Sequence, residues 1–309
     1  MKNKIRIGTR GSNLAIIQAE MVKTALLEKF PGASIEVFVI KTKGDKILDE
    51  PLSSINDKGL FIKEIEEALI NDEIDIAVHS LKDVPTEMPN ELTIGAVLER
   101  AEVKDVLLTN NGETLDKLKP KAIIATSSLR RKAQLLNYNK KFKIIDIRGN
   151  VDTRINKLEE GYCDALVLAG AGVIRSDYEK KIAEYLNPKI MMPAVCQGII
   201  GVEYRVADVE STDYLKTINH EITYLIAKAE RVFLRLLEGG CQIPVGCFST
   251  KVGDLYKIEG MISDLNGEKI IKREISGPFE DAINLAVELA GLLLRNGGEE
   301  ILKEIRDNK

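Results

Sequence analysis

The sequence predicts an α/β protein of more than one domain, followed by a smaller antiparallel region. Over about the first two thirds of the 309 residues, short apolar strands alternate with helical patterns, as in mostly parallel sheets covered by helices. The pattern then changes to strands joined by a tight Asn266-Gly267 turn. A hydrophobic content of 44% is sufficient for two or three cores.

Composition excludes several classes of protein. A net charge of -4 gives no basic excess for nucleic acid, and no apolar run is long enough to span a bilayer. The N-terminus leads into a strand rather than an apolar signal core, so we expect a cytoplasmic protein. With two histidines and no Cys-x-x-Cys pair, we expect no metal site. In a reducing compartment the thiols should carry no disulfides; they are Cys163, Cys196, Cys241 and Cys247.

The first strand, 4–8, runs into a Thr9-Arg-Gly-Ser12 turn, and Ser12 is placed to cap a helix over 13–30. A strand, a glycine loop and a helix start together present backbone N–H groups to an anion. An ordinary strand-to-helix turn has the same pattern, but Arg10 favours a carboxylate or phosphate ligand. A strand over 34–40 and a polar segment, 41–59, follow, and a segment of this length is typical of a lid or a disordered loop.

A helix over 60–70 and a strand over 74–78 lead to His79-Ser-Leu-Lys-Asp83, at a strand end where α/β sheets bind ligands. His79 and Ser80 point to opposite faces of an extended chain, so we expect His79 to be a structural hydrogen-bonding residue. A carboxylate such as Asp83 stays ionised beside cations, which suits chemistry. An aspartate close before Pro85 also commonly caps a turn.

The same organisation repeats in the next part of the chain, with strands over 92–98, 122–125, 143–147 and 164–168. The last three end at segments rich in hydroxyl groups, glycines and arginines, which are 126–132, 148–154 and 169–175. One such segment would be unremarkable. Repeated at successive strand ends, they indicate a cleft for several carboxylates.

A strand over 201–205 and a long helix over about 211–237 lead to Gly239-Gly-Cys241. The two glycines end the helix, and Cys241 lies on a tight turn where a bulky group can approach its sulfur. A small buried hydrophobe beside a helix cap is the commoner interpretation, and a thiol that carries a covalent group is the alternative. Antiparallel strands over 248–252, 255–262 and 269–275 and a helix over 279–295 complete a separate α+β domain.

Taken together, the motifs make the chain resemble the hydroxymethylbilane synthase (porphobilinogen deaminase) family. The matching stretches are Gly8-Thr-Arg-Gly-Ser12, Lys43-Gly-Asp45, Val78-His-Ser-Leu-Lys-Asp-Val-Pro85, Thr126-Ser-Ser-Leu-Arg-Arg131, Arg148-Gly-Asn-Val-Asp-Thr-Arg154, Gln197-Gly198 and Gly239-Gly-Cys241. Each alone is weak, but the ordered set is very specific. Cys196 departs from the family, which often has a glycine there.

The resemblance implies three domains. Two of them, 1–99 with 200–217 and 100–199, would be doubly wound α/β domains like the halves of periplasmic binding proteins. The third, 218–309, would be an α+β domain with an antiparallel sheet that carries the cysteine.

The resemblance also implies a transferase of tetrapyrrole and haem biosynthesis. It would join four porphobilinogen molecules head to tail with loss of ammonia and then release hydroxymethylbilane by hydrolysis. The chain would grow on a dipyrromethane cofactor held at Cys241 through a thioether, and Asp83 would be the catalytic acid/base. We expect porphobilinogen as the small-molecule partner, no nucleic acid, no membrane, and a monomer.

Each porphobilinogen ring carries an acetate and a propionate, and an arginine–carboxylate pair contributes about 1.5–3 kcal/mol. A fixed, partly desolvated Asp83 would stabilise the cation left by loss of ammonia by about 3–4 kcal/mol. The cofactor-binding residues implied are Cys241, Lys82, Asp83, Thr126, Ser128, Arg130, Arg131 and Arg148. The substrate-binding residues implied are Arg10, Ser12, Arg148, Arg154, Arg175 and Gln197, with Arg205 a weaker candidate.

Two other functions fit parts of the sequence. A two-lobed carboxylate-binding protein of periplasmic type would share the layout, but it should carry an export signal and would not need Cys241. A thiol enzyme with Cys241 as its nucleophile usually needs a histidine base, and only His79 and His220 are available. Both comparisons favour the synthase.

Overall fold

A computed structural model describes residues 4–46, 59, 62–237 and 243–307. The chain divides into two compact units. The first is Met1–Glu50, Asn56–Ala101 and Gly198–Tyr224, and the second is Pro51–Ile55, Glu102–Gln197 and Leu225–Lys309. Within the described ranges, no helix combines the length and apolar character that crossing a membrane requires.

The strands, in chain order, are β1 Lys4–Arg10, β2 Ser34–Ile40, β3 Ile76–Ser80, β4 Leu92–Val97, β5 Asp105–Thr109, β6 Ile123–Ala125, β7 Lys143–Ile145, β8 Ala165–Ala169, β9 Ile182–Tyr185, β10 Ile200–Arg205, β11 Val245–Val252, β12 Leu255–Ser263 and β13 Ile270–Pro278. The α-helices are α1 Asn13–Lys29, α2 Lys43–Lys46, α3 Lys63–Ile70, α4 Leu129–Tyr138, α5 Val151–Glu159, α6 Gly170–Arg175, α7 Val209–Ile218, α8 Glu221–Leu236, α9 Ala282–Leu293 and α10 Glu299–Asp307.

The first unit is built on a sheet of order β2-β1-β3-β10-β4. β1 runs parallel to β2 and β3, whereas β10 runs antiparallel to both of its neighbours. The sheet is therefore mixed, whereas the sequence predicts a mostly parallel sheet. The chain enters β10 at the end of the sheet where β3 finishes, since Ile200 pairs with Ser80, and this fixes the direction of β10. Residues of α1 and α7 join the main apolar core of this unit.

The second unit contains a sheet of order β7-β6-β8-β5-β9 and a separate antiparallel sheet of order β11-β12-β13. β6 is parallel to β7 and β8, and β5 is antiparallel to β8 and β9. β5 and β9 are absent from the sequence prediction because each is short, with five and four residues. The predicted fold class, two α/β sheets followed by an antiparallel α+β region, is confirmed.

Two predicted helices differ from the structure. The helix expected over 211–237 is two helices, α7 and α8, separated at Asn219 and His220. Side chains stabilise the break, because Asn219 Oδ1 accepts a hydrogen bond from the Val97 N–H and His220 Nδ1 accepts one from the Thr223 N–H. The helix expected over 279–295 is the shorter α9. An irregular turn with Gly297 at φ 100° then leads into α10, which the sequence did not predict.

The polar segment 41–59 contains the short helix α2, and residues 47–58 lie outside the described residues. A lid in that segment therefore stays a prediction. The division into three domains with the stated bounds also stays a prediction.

Candidate active site

In the first unit, the end of β1 shapes one wall of a pocket. Ser12 caps α1 as predicted, because its Oγ accepts a hydrogen bond from the Ala15 N–H at 3.3 Å. The hydroxyl of Thr9 donates to the Ala15 carbonyl and holds the strand against the helix start. Arg10 lies between them in sequence, at the edge of the pocket.

The pocket has a volume of about 80 Å³ and is lined by residues from β1, α1 and the end of β3. Three of the predicted site residues line it: Arg10, Ser12 and Asp83. The polar residues Gln18, His79 and Ser80 line it as well. Gln18 was missed, although a glutamine among apolar residues on a helix that starts at a strand end is a detectable signal. Its side chain and the Ser80 hydroxyl are 2.9–3.1 Å apart, within hydrogen-bond distance.

Asp83 is fixed through its backbone but exposed at its side chain. It ends a 3₁₀ turn, Leu81–Asp83, in which Leu81 is buried and its N–H donates to the Ile199 carbonyl. The turn brings Leu81 inward and leaves Asp83 outward, so the expectation of a partly desolvated carboxylate is wrong for this structure. The carboxylate makes no hydrogen bond or ion pair with any described residue. Lys82, beside it, is half-buried.

His79 is a structural hydrogen-bonding residue, as predicted. Its Nε2 lies 3.0 Å from Glu203 Oε2 on β10, and the two side chains are 4% and 0% exposed. Glu66 on α3 is coupled to this pair. Burial, followed by the charge of Glu203, raises the pKa of Glu66 to about 7, while the charge of His79 lowers it.

In the second unit, the parallel strands β7, β6 and β8 lie side by side, so their carboxyl ends meet at one edge. The three segments that follow them begin α4, α5 and α6. Ser128 caps α4 by accepting from the Arg131 N–H, and Asn150 caps α5 by accepting from the Thr153 N–H. Thr126 is buried, and its hydroxyl accepts from the Ser128 N–H.

Arg130, Arg131 and Gln197 surround the buried carboxylate of Asp105. Arg130 donates to Asp105 Oδ2 at 2.7 Å, Arg131 donates to Oδ1 through Nε and Nη2, and the Gln197 amide donates to Oδ1 at 3.0 Å. Burial raises the pKa of Asp105, but the charges and hydrogen bonds of the two arginines outweigh burial and hold it far below its usual range. These residues thus have a structural role that the sequence did not reveal, and their role toward the cofactor stays a prediction.

Arg148 presents donors that the fold does not use. Its Nε and Nη2 are buried and have no hydrogen-bond partner among the described residues. Two buried guanidinium nitrogens without a partner among the described residues fit a carboxylate ligand, because leaving them unsatisfied is costly. Nearby in sequence, Arg154 donates to the Gly149 carbonyl through Nε. At the end of α6, burial lowers the pKa of Arg175.

Arg205 and Cys241 are the two remaining candidates from the sequence. Arg205 donates to the carbonyls of Leu69 and Ile74 and pairs with Asp208, so it is a structural cation rather than a carboxylate-binding candidate. Cys241 lies outside the described residues. In the part of the chain that is described, no cluster of His, Cys, Asp and Glu suited to a metal ion occurs.

Comparison with known proteins decides the family. Residues 5–213 match the family described as "Porphobilinogen deaminase, dipyromethane cofactor binding domain", and residues 224–295 match "Porphobilinogen deaminase, C-terminal domain". The chain belongs to the porphobilinogen deaminase family.

Similar proteins named porphobilinogen deaminase extend over the whole chain. That of Chlorobium phaeobacteroides is 47% identical over 311 residues, covering 99% of both chains. That of Alkaliphilus metalliredigens is 43% identical, covering 99% of this chain and 97% of its own. Among solved structures, the VFT2 domain of BvgS from Bordetella pertussis is 15% identical with a TM-score of 0.42, covering 73% of this chain and 92% of that domain. A likeness at that level carries no argument about function.

The predicted family, hydroxymethylbilane synthase activity, transferase class, tetrapyrrole pathway and dipyrromethane cofactor are confirmed by family membership. The alternatives of a periplasmic carboxylate-binding protein and a histidine-assisted thiol enzyme are wrong. His79 is held by Glu203, and His220 caps a helix.

Proposed function

We propose that porphobilinogen reacts at the pocket of the first unit, with Asp83 as the acid/base. The observation that carries this proposal is that Asp83 and Arg10 line one small pocket at neighbouring strand ends. The backbone of its turn holds Asp83 in place, while its carboxylate makes no hydrogen bond or ion pair with a described residue. A preorganised carboxylate near the pyrrole nitrogen stabilises the positive charge that develops as ammonia leaves.

The cofactor is proposed to be bound covalently at Cys241, with its carboxylates held chiefly by arginines of the second unit. When bound, dipyrromethane supplies the pyrrole carbon to which the first porphobilinogen is joined. The unused donors of Arg148 support this assignment, since a carboxylate there would satisfy both nitrogens. The other proposed cofactor contacts are Lys82, Asp83, Thr126, Ser128, Arg130 and Arg131.

Substrate carboxylates are proposed to be positioned by Arg10, Ser12, Arg148, Arg154, Arg175 and Gln197. Each arginine–carboxylate pair would orient a ring at about 1.5–3 kcal/mol. For Gln197 the contact requires atoms other than its amide nitrogen, which already donates to Val103 and Asp105. We further propose that the chain acts as a cytoplasmic monomer without nucleic acid or a membrane.

The test combines intact mass with turnover. Wild-type protein should carry the added mass of two pyrrole rings, and Cys241→Ser should lose it while the control Cys163→Ala keeps it. Asp83→Asn should keep the added mass and bind porphobilinogen, yet turn over at least a hundredfold more slowly. Near-normal turnover of Asp83→Asn, or a bare polypeptide mass in active wild-type enzyme, would contradict the proposal.

A further inference from the structure

The proposed mechanism does not use one buried pair beside the pocket, His79 and Glu203. The imidazole and the carboxylate lie 3.0 Å apart, and the Glu203 side chain has no exposed surface. Burying an ionisable pair costs desolvation free energy, and apolar residues of the same size would often stabilise a fold equally well. Stability alone is therefore a weak reason for this pair at the wall of a pocket.

The bond to Glu203 engages only one ring nitrogen of His79. Because Nε2 is shared with the Glu203 carboxylate, the neutral imidazole carries its hydrogen on Nε2 and has a lone pair on Nδ1. His79 lines the pocket together with Arg10 and Asp83. No described residue makes a hydrogen bond to Nδ1. A carboxylate that orients an imidazole in this way is a recurrent arrangement at reactive sites.

Other carboxyl groups and charges lie near this pair. Glu203 Oε1 is buried and has no hydrogen-bond partner among the described residues. Glu66 on α3 adds a second carboxyl group, and burial together with the charge of Glu203 raises its pKa to about 7. From the pocket side, the charged groups are Arg10 and Asp83.

We propose that His79 contacts the substrate and that Glu203 positions it. In this arrangement His79 Nδ1 accepts a hydrogen bond from the aminomethyl ammonium group of porphobilinogen, the group that leaves as ammonia. Asp83, at the same pocket, is assigned to the pyrrole N–H, so the ammonium is the substrate donor that remains for Nδ1. The inference rests on the proposed function, because it takes this pocket as the place where porphobilinogen reacts.

Nitrogen-15 NMR of the holoenzyme labelled at histidine tests the contact directly. The chain has two histidines, and His220 serves as an internal reference because its Nδ1 accepts from the Thr223 N–H. His79 should show the Nε2–H tautomer, and adding porphobilinogen should move its Nδ1 resonance while His220 stays in place. An unchanged His79 spectrum, or equal shifts at both histidines, would overturn the proposal.

Matched variants give a second measurement. His79→Gln can keep the bond to Glu203 but lacks the Nδ1 acceptor, and kcat/KM should fall about tenfold, mainly through KM. His79→Asn keeps an oxygen near the Nδ1 position and should stay within about threefold of wild type. Equal losses in the two variants, or none, would overturn the proposal even if Asp83→Asn is inactive. Normal turnover by Asp83→Asn would instead refute the proposed function.

Discussion

Replacing Asp105 by asparagine tests the buried ion cluster at the edge of the second sheet. Asp105 has no exposed surface and accepts hydrogen bonds from Arg130, Arg131 and Gln197 at 2.7–3.1 Å. The substitution leaves two nearly buried guanidinium groups without a counter-charge. Removing one partner of a buried pair typically costs about 3–5 kcal/mol, so we expect a loss of that size in the free energy of unfolding.

Urea unfolding would measure the loss of stability, and amide hydrogen exchange would locate it. Amide protection should fall in β5 and β8 of the second unit and persist in β1 and β3 of the first. Because the folded pKa of Asp105 lies below its unfolded value, its contribution is present above about pH 4 and disappears only as pH falls through the folded pKa. The difference between variant and wild type should therefore stay constant from pH 6 to 8.

The control is Glu36→Gln, which breaks an exposed ion pair with Lys4 and should cause no measurable change. A loss below about 1 kcal/mol for Asp105→Asn would refute the argument that the carboxylate compensates both arginines. Loss of protection spread equally over both units would refute its assignment to the second.

Three further predictions follow from particular contacts. Gly267→Ala should destabilise the protein more than Gly253→Ala. Both glycines have φ near +60°, but only at Gly267 would an added Cβ lie 1.9 Å from a backbone oxygen, that of the Ala133 carbonyl. Equal melting temperatures of the two variants would contradict this. For Glu66, the folded pKa of about 7 lies above the ordinary 4.5, so its carboxyl favours folding at low pH and the benefit is lost as pH rises towards 7. Glu66→Gln should thus gain stability relative to wild type between pH 5 and pH 8, and a constant difference in urea unfolding would count against it. Arg148→Lys should lower kcat/KM for porphobilinogen by about 10- to 100-fold because lysine lacks the paired donors, and less than a threefold loss would argue against a bidentate contact.

Local sequence signals were sufficient where one residue decides the structure. Ser12 predicted the start of α1 because its hydroxyl can satisfy a free backbone N–H, and Gly267 predicted the hairpin because glycine tolerates φ of +69°. The order of the motifs also predicted the family, since each motif reflects a local chemical requirement. Tetrapyrrole synthesis and the dipyrromethane cofactor followed from that family.

Only the tertiary structure decided which charged groups are already paired. Asp105 carries no motif, yet it lies between two arginines that the sequence assigned to a ligand, because β5 joins the sheet beside β8. Glu203 lies 124 residues from His79 and reaches it because β10 returns antiparallel beside β3. Sequence patterns report what a residue does to its own segment. Pairing between distant segments depends on strand order and direction, which the local pattern does not specify.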